Sequence, residues 1–150
     1  MASNQNGSLT EALQAGYEVS FEKTISAADV RDFARISGDV NPLHLDDDIA
    51  AQTRFGKPIV HGILVAGVIS AAIGTELAPI GTYPIYLEQS LHFKRPVFVD
   101  DVVCARCTIS QRDPERCIAT LDVTCTNQHE KVVLHGTAKI MLEELMPSTA

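Results

Sequence analysis

Residues 63–74 read ILVAGVISAAIG, twelve positions without a charged side chain. A bilayer span needs about 20 apolar residues, so this stretch is too short to cross a membrane. It reads instead as a helix buried on all sides. Pro58 stands where prolines precede helices, which predicts a helix over 59–77, roughly 28 Å long at about 1.5 Å per residue. Gly62, Ala66, Gly67, Ala71 and Ala72 are small, and Gly is costly inside a helix. Several of them together imply a cover that packs tightly.

The second half of the chain supplies that cover. Residues 83–93, 97–110, 116–126 and 131–143 have strand composition. In the first run Ile85, Leu87, Gln89, Leu91 and Phe93 alternate with Tyr86, Glu88, Ser90 and His92. Breaks fall at Lys94-Arg95-Pro96, at 112–115 and at 127–130. This spacing predicts an antiparallel meander. One long apolar helix with several long strands is an α+β chain, a curled sheet wrapped around the helix.

The first half is lighter. Residues 1–9 are small and polar and read as a tail. Phe21 to Thr24 reads as a short strand. Ser26 with Asp29 three residues on is a capping-box pattern, and Gly38 suits the C′ position, so a helix is expected over 27–37. Asp46 is expected to cap a short helix over 47–53. The division that follows is a lead-in over 1–20, one domain over 21–143 and a tail over 144–150.

Composition narrows the function. The chain has 150 residues, 12 Lys+Arg against 19 Asp+Glu and a formal net charge of −7, which fits one domain. An apolar share of 45% excludes disorder. The acidic balance and the lack of Trp argue against nucleic acid, which needs clustered cations or stacking platforms. The first 20 residues contain no Lys or Arg, so no targeting segment is expected. Cys104, Cys107, Cys117 and Cys125 read as free thiols in a reducing cytoplasm. Cys104 and Cys107 spell C-x-x-C, but on a strand residues three apart face opposite ways and share no metal. His92, His129 and His135 have no partner legible in the sequence and read as structural.

Two clusters can carry chemistry. In SGDVNPLHLD, residues 37–46, Asp39 and His44 lie five residues apart across a Pro-containing turn. Such a turn can aim a carboxylate and an imidazole at one point, as activation of a water requires. The residues alone also allow Asp39 and Asn41 to be turn formers and His44 a loop histidine. In PIVHG, residues 58–62, His61 and Gly62 fall in the first turn of the apolar helix. Backbone N–H groups there are unpaired and carry the positive dipole end, and a glycine admits an oxygen closely. Gly62 is therefore a candidate oxyanion donor, with a capping turn as the alternative.

GDVNPLHLD, followed by KPIVHGILVAGVISAAIG and IYLEQSLHFKRPVFVDDVV, resembles the (R)-specific enoyl-CoA hydratases, or MaoC-like dehydratases, which have the hot-dog fold. The resemblance is collinear from about Phe21 to Leu142. It implies that Asp39 and His44 activate one water for syn addition to a trans-2-enoyl thioester, giving the (R)-3-hydroxyacyl thioester, with the Gly62 N–H polarising the carbonyl. It also implies that Asn41 orients the pair, and it places His61 with Asn41 among the substrate-binding residues. Ser70 and Ile73 match positions that line the acyl pocket. Neither metal nor cofactor is implied. The expected partner is acyl-CoA, or acyl-ACP, with no nucleic acid and no membrane. Such enzymes belong to fatty-acid metabolism and feed polyhydroxyalkanoate synthesis.

Coenzyme A is a polyanion, so an acidic chain needs local cations to hold it. Arg54 and Lys57 precede the helix and Lys94-Arg95 close the long strand, so some of these are expected to meet the phosphates; a solvated basic loop is the alternative. A dehydratase acting on acyl-ACP, a hot-dog thioesterase and a non-catalytic acyl-CoA-binding subunit are the other functions to separate. One helix under one curled sheet leaves an exposed edge and a shallow site, so a homodimer is expected.

Overall fold

The computed structural model describes residues 12–78 and 81–144. Residues 1–9 and 145–150 of the segments read as tails lie outside the described residues, while Glu144, read as the start of the C-terminal tail, ends the last strand because it pairs with Thr82. Six strands form one antiparallel sheet: β1 (Glu18–Thr24), β2 (Thr82–Gln89), β3 (His92–Phe93), β4 (Val102–Asp113), β5 (Ile118–Thr126) and β6 (Val132–Glu144). The helices are α1 (Ala27–Ser37), α2 (Pro42–Leu45), α3 (Asp47–Ala51) and α4 (Gly62–Leu77). The α+β reading holds.

α4 lies across β1, β4 and β2. It buries Val65, Val68, Ile69, Ala72, Ile73 and Leu77, each aliphatic side chain larger than Ala contributing about 1.5–3 kcal/mol. The sheet's inner face answers with Val103, Ala105, Cys107 and Ile109 from β4 and Ala119, Leu121, Val123 and Cys125 from β5, all buried at every second position.

Three expectations need correction. The helix begins at Gly62, not at 59, because Val60 donates its N–H to the Val97 carbonyl and Ile59 bridges Phe98. That pairing keeps 59–60 extended. The helix is also not buried on all sides: Ile63, Gly67 and Ser70 are exposed, since the sheet curls over only one face. Finally, the four strand runs are not a simple meander. The order is β1-β4-β5-β6-β2, so β2 pairs with β6 and the chain crosses the sheet before β4.

The 83–93 run breaks at Ser90–Leu91. Ser90 crosses over Gly136, whose absent Cβ would collide with the Ser90 carbonyl. Ser90 donates its N–H to the Thr137 carbonyl, and its Oγ accepts the Thr137 N–H, both at 2.9 Å. This detour starts β3. The 97–110 run likewise starts late, at Val102.

At the other end of the chain β1 starts at Glu18, ahead of Phe21, and Leu13 is fully buried in the core. α1 begins at a Ser26 capping box with Asp29 and ends on Gly38 at φ 83, a conformation that favours glycine. Asp46 caps α3, which ends at Ala51, two residues short of the reach expected. Cys104 and Cys107 point to opposite faces, and all four cysteines are free. His92 and His135, read as partnerless, stack across β3 and β6 at 5.1 Å. No helix among the described residues is long and apolar enough to cross a membrane.

Candidate active site

The turn between α1 and α2 is built from its own polar side chains. The Asp39 Oδ1 accepts the Asn41 N–H at 3.1 Å. The Asn41 Oδ1 in turn accepts the Leu43 N–H at 3.1 Å, as the N-cap of α2. Pro42 occupies the first turn of that helix, where its missing N–H costs nothing. One turn of α2 then delivers His44. Asn41 thus contacts the carboxylate through its backbone N–H and starts the helix that carries the imidazole through its cap.

The His44 Nδ1–H donates to the Ile59 carbonyl at 2.7 Å. That bond sets the tautomer and leaves Nε2 free as a base. The His61 Nε2–H donates to the Asp39 backbone carbonyl at 3.0 Å. The His61 and His44 rings lie 3.9 Å apart. One side-chain polar atom each from Asp39, His44 and His61 falls within 4.8 Å of the other two. That span is less than two hydrogen-bond lengths, so one water can touch both Asp39 and His44. A carboxylate with two imidazoles is also a donor set that suits a transition metal.

His44 and Gly62 share a cavity of about 320 Å³. Its inner wall is apolar, from Val65, Val97 and Val133. Arg54, Lys94 and Arg95 bring positive charge to it from two loops. Asp39 is exposed and stands beside this wall, not in it. Gly62 opens α4 with no side chain capping the helix, so its N–H is one of the orphan donors of a first turn. The Phe93 ring lies against Gly62, where a Cβ would meet it at 2.7 Å. A side chain there would have to displace the exposed Phe93 ring.

The structure separates other expected residues from this group. His61 is 1% exposed, so it stands behind His44 and not on a substrate surface. Ile73 is also 1% exposed; it is a core residue, because it faces the sheet. Ser70 lines a different hollow, of about 370 Å³, with Ile63, Ala66 and Gly67 from α4 and Tyr86 to Gln89 from β2. Lys57 is exposed and its Nζ sits 4.4 Å over the Phe98 ring, away from the cavity that Arg54 lines. Burial pushes the Tyr86 hydroxyl up to about 12, assisted by the nearby Cys107 and Cys125 thiols, so it stays neutral beside Ser70's hollow.

Ile59 was not legible in advance, because a backbone carbonyl leaves no mark on the sequence. Phe93 left a signal, an aromatic at the end of an alternating strand, which the alternation assigned to packing.

The MaoC like domain family matches residues 8–133. The chain is 42% identical over 130 residues to a 3-hydroxybutyryl-CoA dehydratase of Methylorubrum extorquens, covering 87% of this chain and 81% of that protein. It is 43% identical over 132 residues to an (R)-specific enoyl-CoA hydratase of Rhodospirillum rubrum, covering 88% and 90%. Among solved structures it is similar to an (R)-hydratase from A. caviae involved in PHA biosynthesis, with a TM-score of 0.82, 41% identity, and 89% of this chain and 99% of that chain covered.

Proposed function

Since the chain belongs to the MaoC-like domain family, we propose that it is an (R)-specific 2-enoyl-CoA hydratase, a hydro-lyase that adds water reversibly to a trans-2-enoyl thioester. The observation that carries the mechanism is one group of three: the Asp39 carboxylate, the free Nε2 of His44, and the Gly62 N–H at the start of α4. A water between Asp39 and His44 loses a proton to Nε2 as its oxygen bonds to C3. The C2=C3 π pair moves toward the thioester, and charge builds on the carbonyl oxygen. The Gly62 N–H and the positive end of α4 meet that charge; one such donor contributes about 2.7–4 kcal/mol. The dyad then returns a proton to C2 from the same side. The net change is H and OH across C2=C3, with nothing else consumed.

Arg54, Lys94 and Arg95 at the cavity suit the phosphates of coenzyme A. The hollow around Ser70 suits the acyl chain through its apolar lining of Ile63, Ala66, Tyr86 and Leu87. That hollow and the neighbouring surface also support a homodimer. β2 is a sheet edge, and Ile63 on α4 with Ile85, Tyr86 and Leu87 on β2 are exposed apolar residues beside it. A second copy would cover the edge and close the hollow. Free cysteines, two of them buried, support a reducing, cytoplasmic setting.

The test is hydration of crotonyl-CoA with chiral analysis of the product. Asp39→Asn and His44→Ala should each abolish turnover with the circular dichroism spectrum unchanged. An (S) product, release of free coenzyme A, or near-wild-type turnover in either variant would overturn the reading. Equal assays on crotonyl-ACP decide the carrier. Sedimentation equilibrium tests the dimer, with Ile63→Glu and Leu87→Glu expected to give monomers.

A further inference from the structure

We propose that His61 is a positioning residue for this reaction, holding Asp39 and His44 at once. The inference rests on the hydratase reading above and assigns a role to a residue that substrate cannot reach. His61 is the N-cap of α4 and 1% exposed. Its Nε2–H donates to the Asp39 carbonyl at 3.0 Å. Its ring lies 3.9 Å from His44 at an interplanar angle of 31°. Phe33 of α1 packs on it as well, 4.8 Å away. The segment carrying the carboxylate, the helix carrying the base and the helix carrying the oxyanion donor therefore meet at one imidazole.

The chemistry of the side chain says why it is a histidine. Nδ1 of His61 is buried with no hydrogen-bond partner among the described residues, a costly arrangement that a phenylalanine would avoid. Phenylalanine keeps a flat face for His44 but removes the donor to Asp39. Glutamine keeps an N–H donor but removes the face. Histidine supplies both, and the orphaned nitrogen is the cost. His44 is then held at its edge by the Ile59 carbonyl and on its face by His61. Asp39 is held at its carboxylate by Asn41 and at its backbone by His61. Each retains one free atom for the water.

A displacement of about 1 Å in such a pair lowers turnover roughly 100-fold. His61→Ala should therefore lose about 100-fold in kcat while KM stays within about threefold. His61→Phe and His61→Gln each keep one of the two contacts and should each recover part of that loss. A residue that only fills the core gives another order: Phe at the wild-type level, Gln no better than Ala, and kcat per folded enzyme tracking the melting temperature. That order, or wild-type kcat in folded His61→Ala, overturns the proposal. A second readout does not depend on turnover. The ring nitrogen shifts of ¹⁵N-histidine-labelled protein, taken where imidazoles are neutral, should show His44 only as the Nδ1–H tautomer in the wild type and as a mixture in His61→Ala. An unchanged single tautomer overturns the role at His44. A wild type without hydratase activity overturns the function and leaves this second test standing.

Discussion

Replacing Gly136 by alanine tests how the sheet builds the cavity. A Cβ at this position would lie 1.9 Å from the Ser90 carbonyl oxygen and 2.7 Å from its carbon. No rotamer relieves a contact between two backbones. β2 must move off β6 by about 1.5 Å to restore ordinary van der Waals separation. The move breaks the two hydrogen bonds between Ser90 and Thr137, both at 2.9 Å, each worth about 1 kcal/mol net. Residual overpacking adds about 1 kcal/mol or more. The expected loss is roughly 3 kcal/mol, and at about 2–4 °C per kcal/mol for a chain of this size the melting temperature falls by roughly 6–12 °C.

The same shift carries β3, and with it Phe93 and the Lys94-Arg95 wall, so KM for crotonyl-CoA should rise. Thermal unfolding followed by circular dichroism and steady-state kinetics on the folded variant measure the two effects. A melting temperature within about 2 °C of the wild type, with KM unchanged, would show that β2 accommodates the methyl group and that the reasoning is wrong.

Asn41→Ala removes the N-cap of a one-turn helix, so it should cost about 1 kcal/mol of stability and lower kcat by more than that loss explains; urea titration with kinetics separates the two. Arg54→Glu should raise KM for crotonyl-CoA severalfold, and Lys57→Glu, which stands away from the cavity, should raise it less; equal effects would break the assignment. Burial holds the Cys107 and Cys125 thiols up to about 12, with neighbouring thiols adding to the effect. A thiol whose folded pKa is raised stabilises the native state fully below its unfolded pKa, near 8.5, and loses that contribution as pH climbs toward the folded value. Urea midpoints should therefore fall from pH 9 upward, and Cys107→Ala with Cys125→Ala should flatten that fall.

Much of this architecture was legible from local chemistry. Ser26 with Asp29 and Gly38 bracket α1 because capping and left-handed termination are written in two or three residues. The same holds for the start of the Asp39–His44 turn, where the Asp39 and Asn41 side chains each accept an N–H two residues on. What was not legible depends on distant partners. The alternation of 83–93 told which residues share a face but not that β2 crosses to β6. The charge-free run 63–74 fixed a helix but not that one of its faces stays open, because an apolar residue reads the same whether its cover comes from its own sheet or from elsewhere. The carbonyl that orients His44 belongs to Ile59, fifteen residues away, and any residue there would present the same oxygen. Ser70 and Ile73 matched by position, yet the first faces another hollow and the second faces the core.

The bond from His44 to Ile59 has an engineering consequence. The proposed base is anchored to residue 59 and the proposed oxyanion donor is residue 62, so one four-residue segment gauges the spacing between them. The hollow proposed for the acyl chain is walled by other parts of the chain, the outer face of α4 and the residues of β2. Exchanging Ser70, Tyr86 or Leu87 to accept longer or shorter chains therefore alters the receptacle without recalibrating the reacting atoms. On the proposed assignment, substrate range and chemistry are separable parts of this scaffold, and libraries for chain-length preference can leave 59–62 untouched.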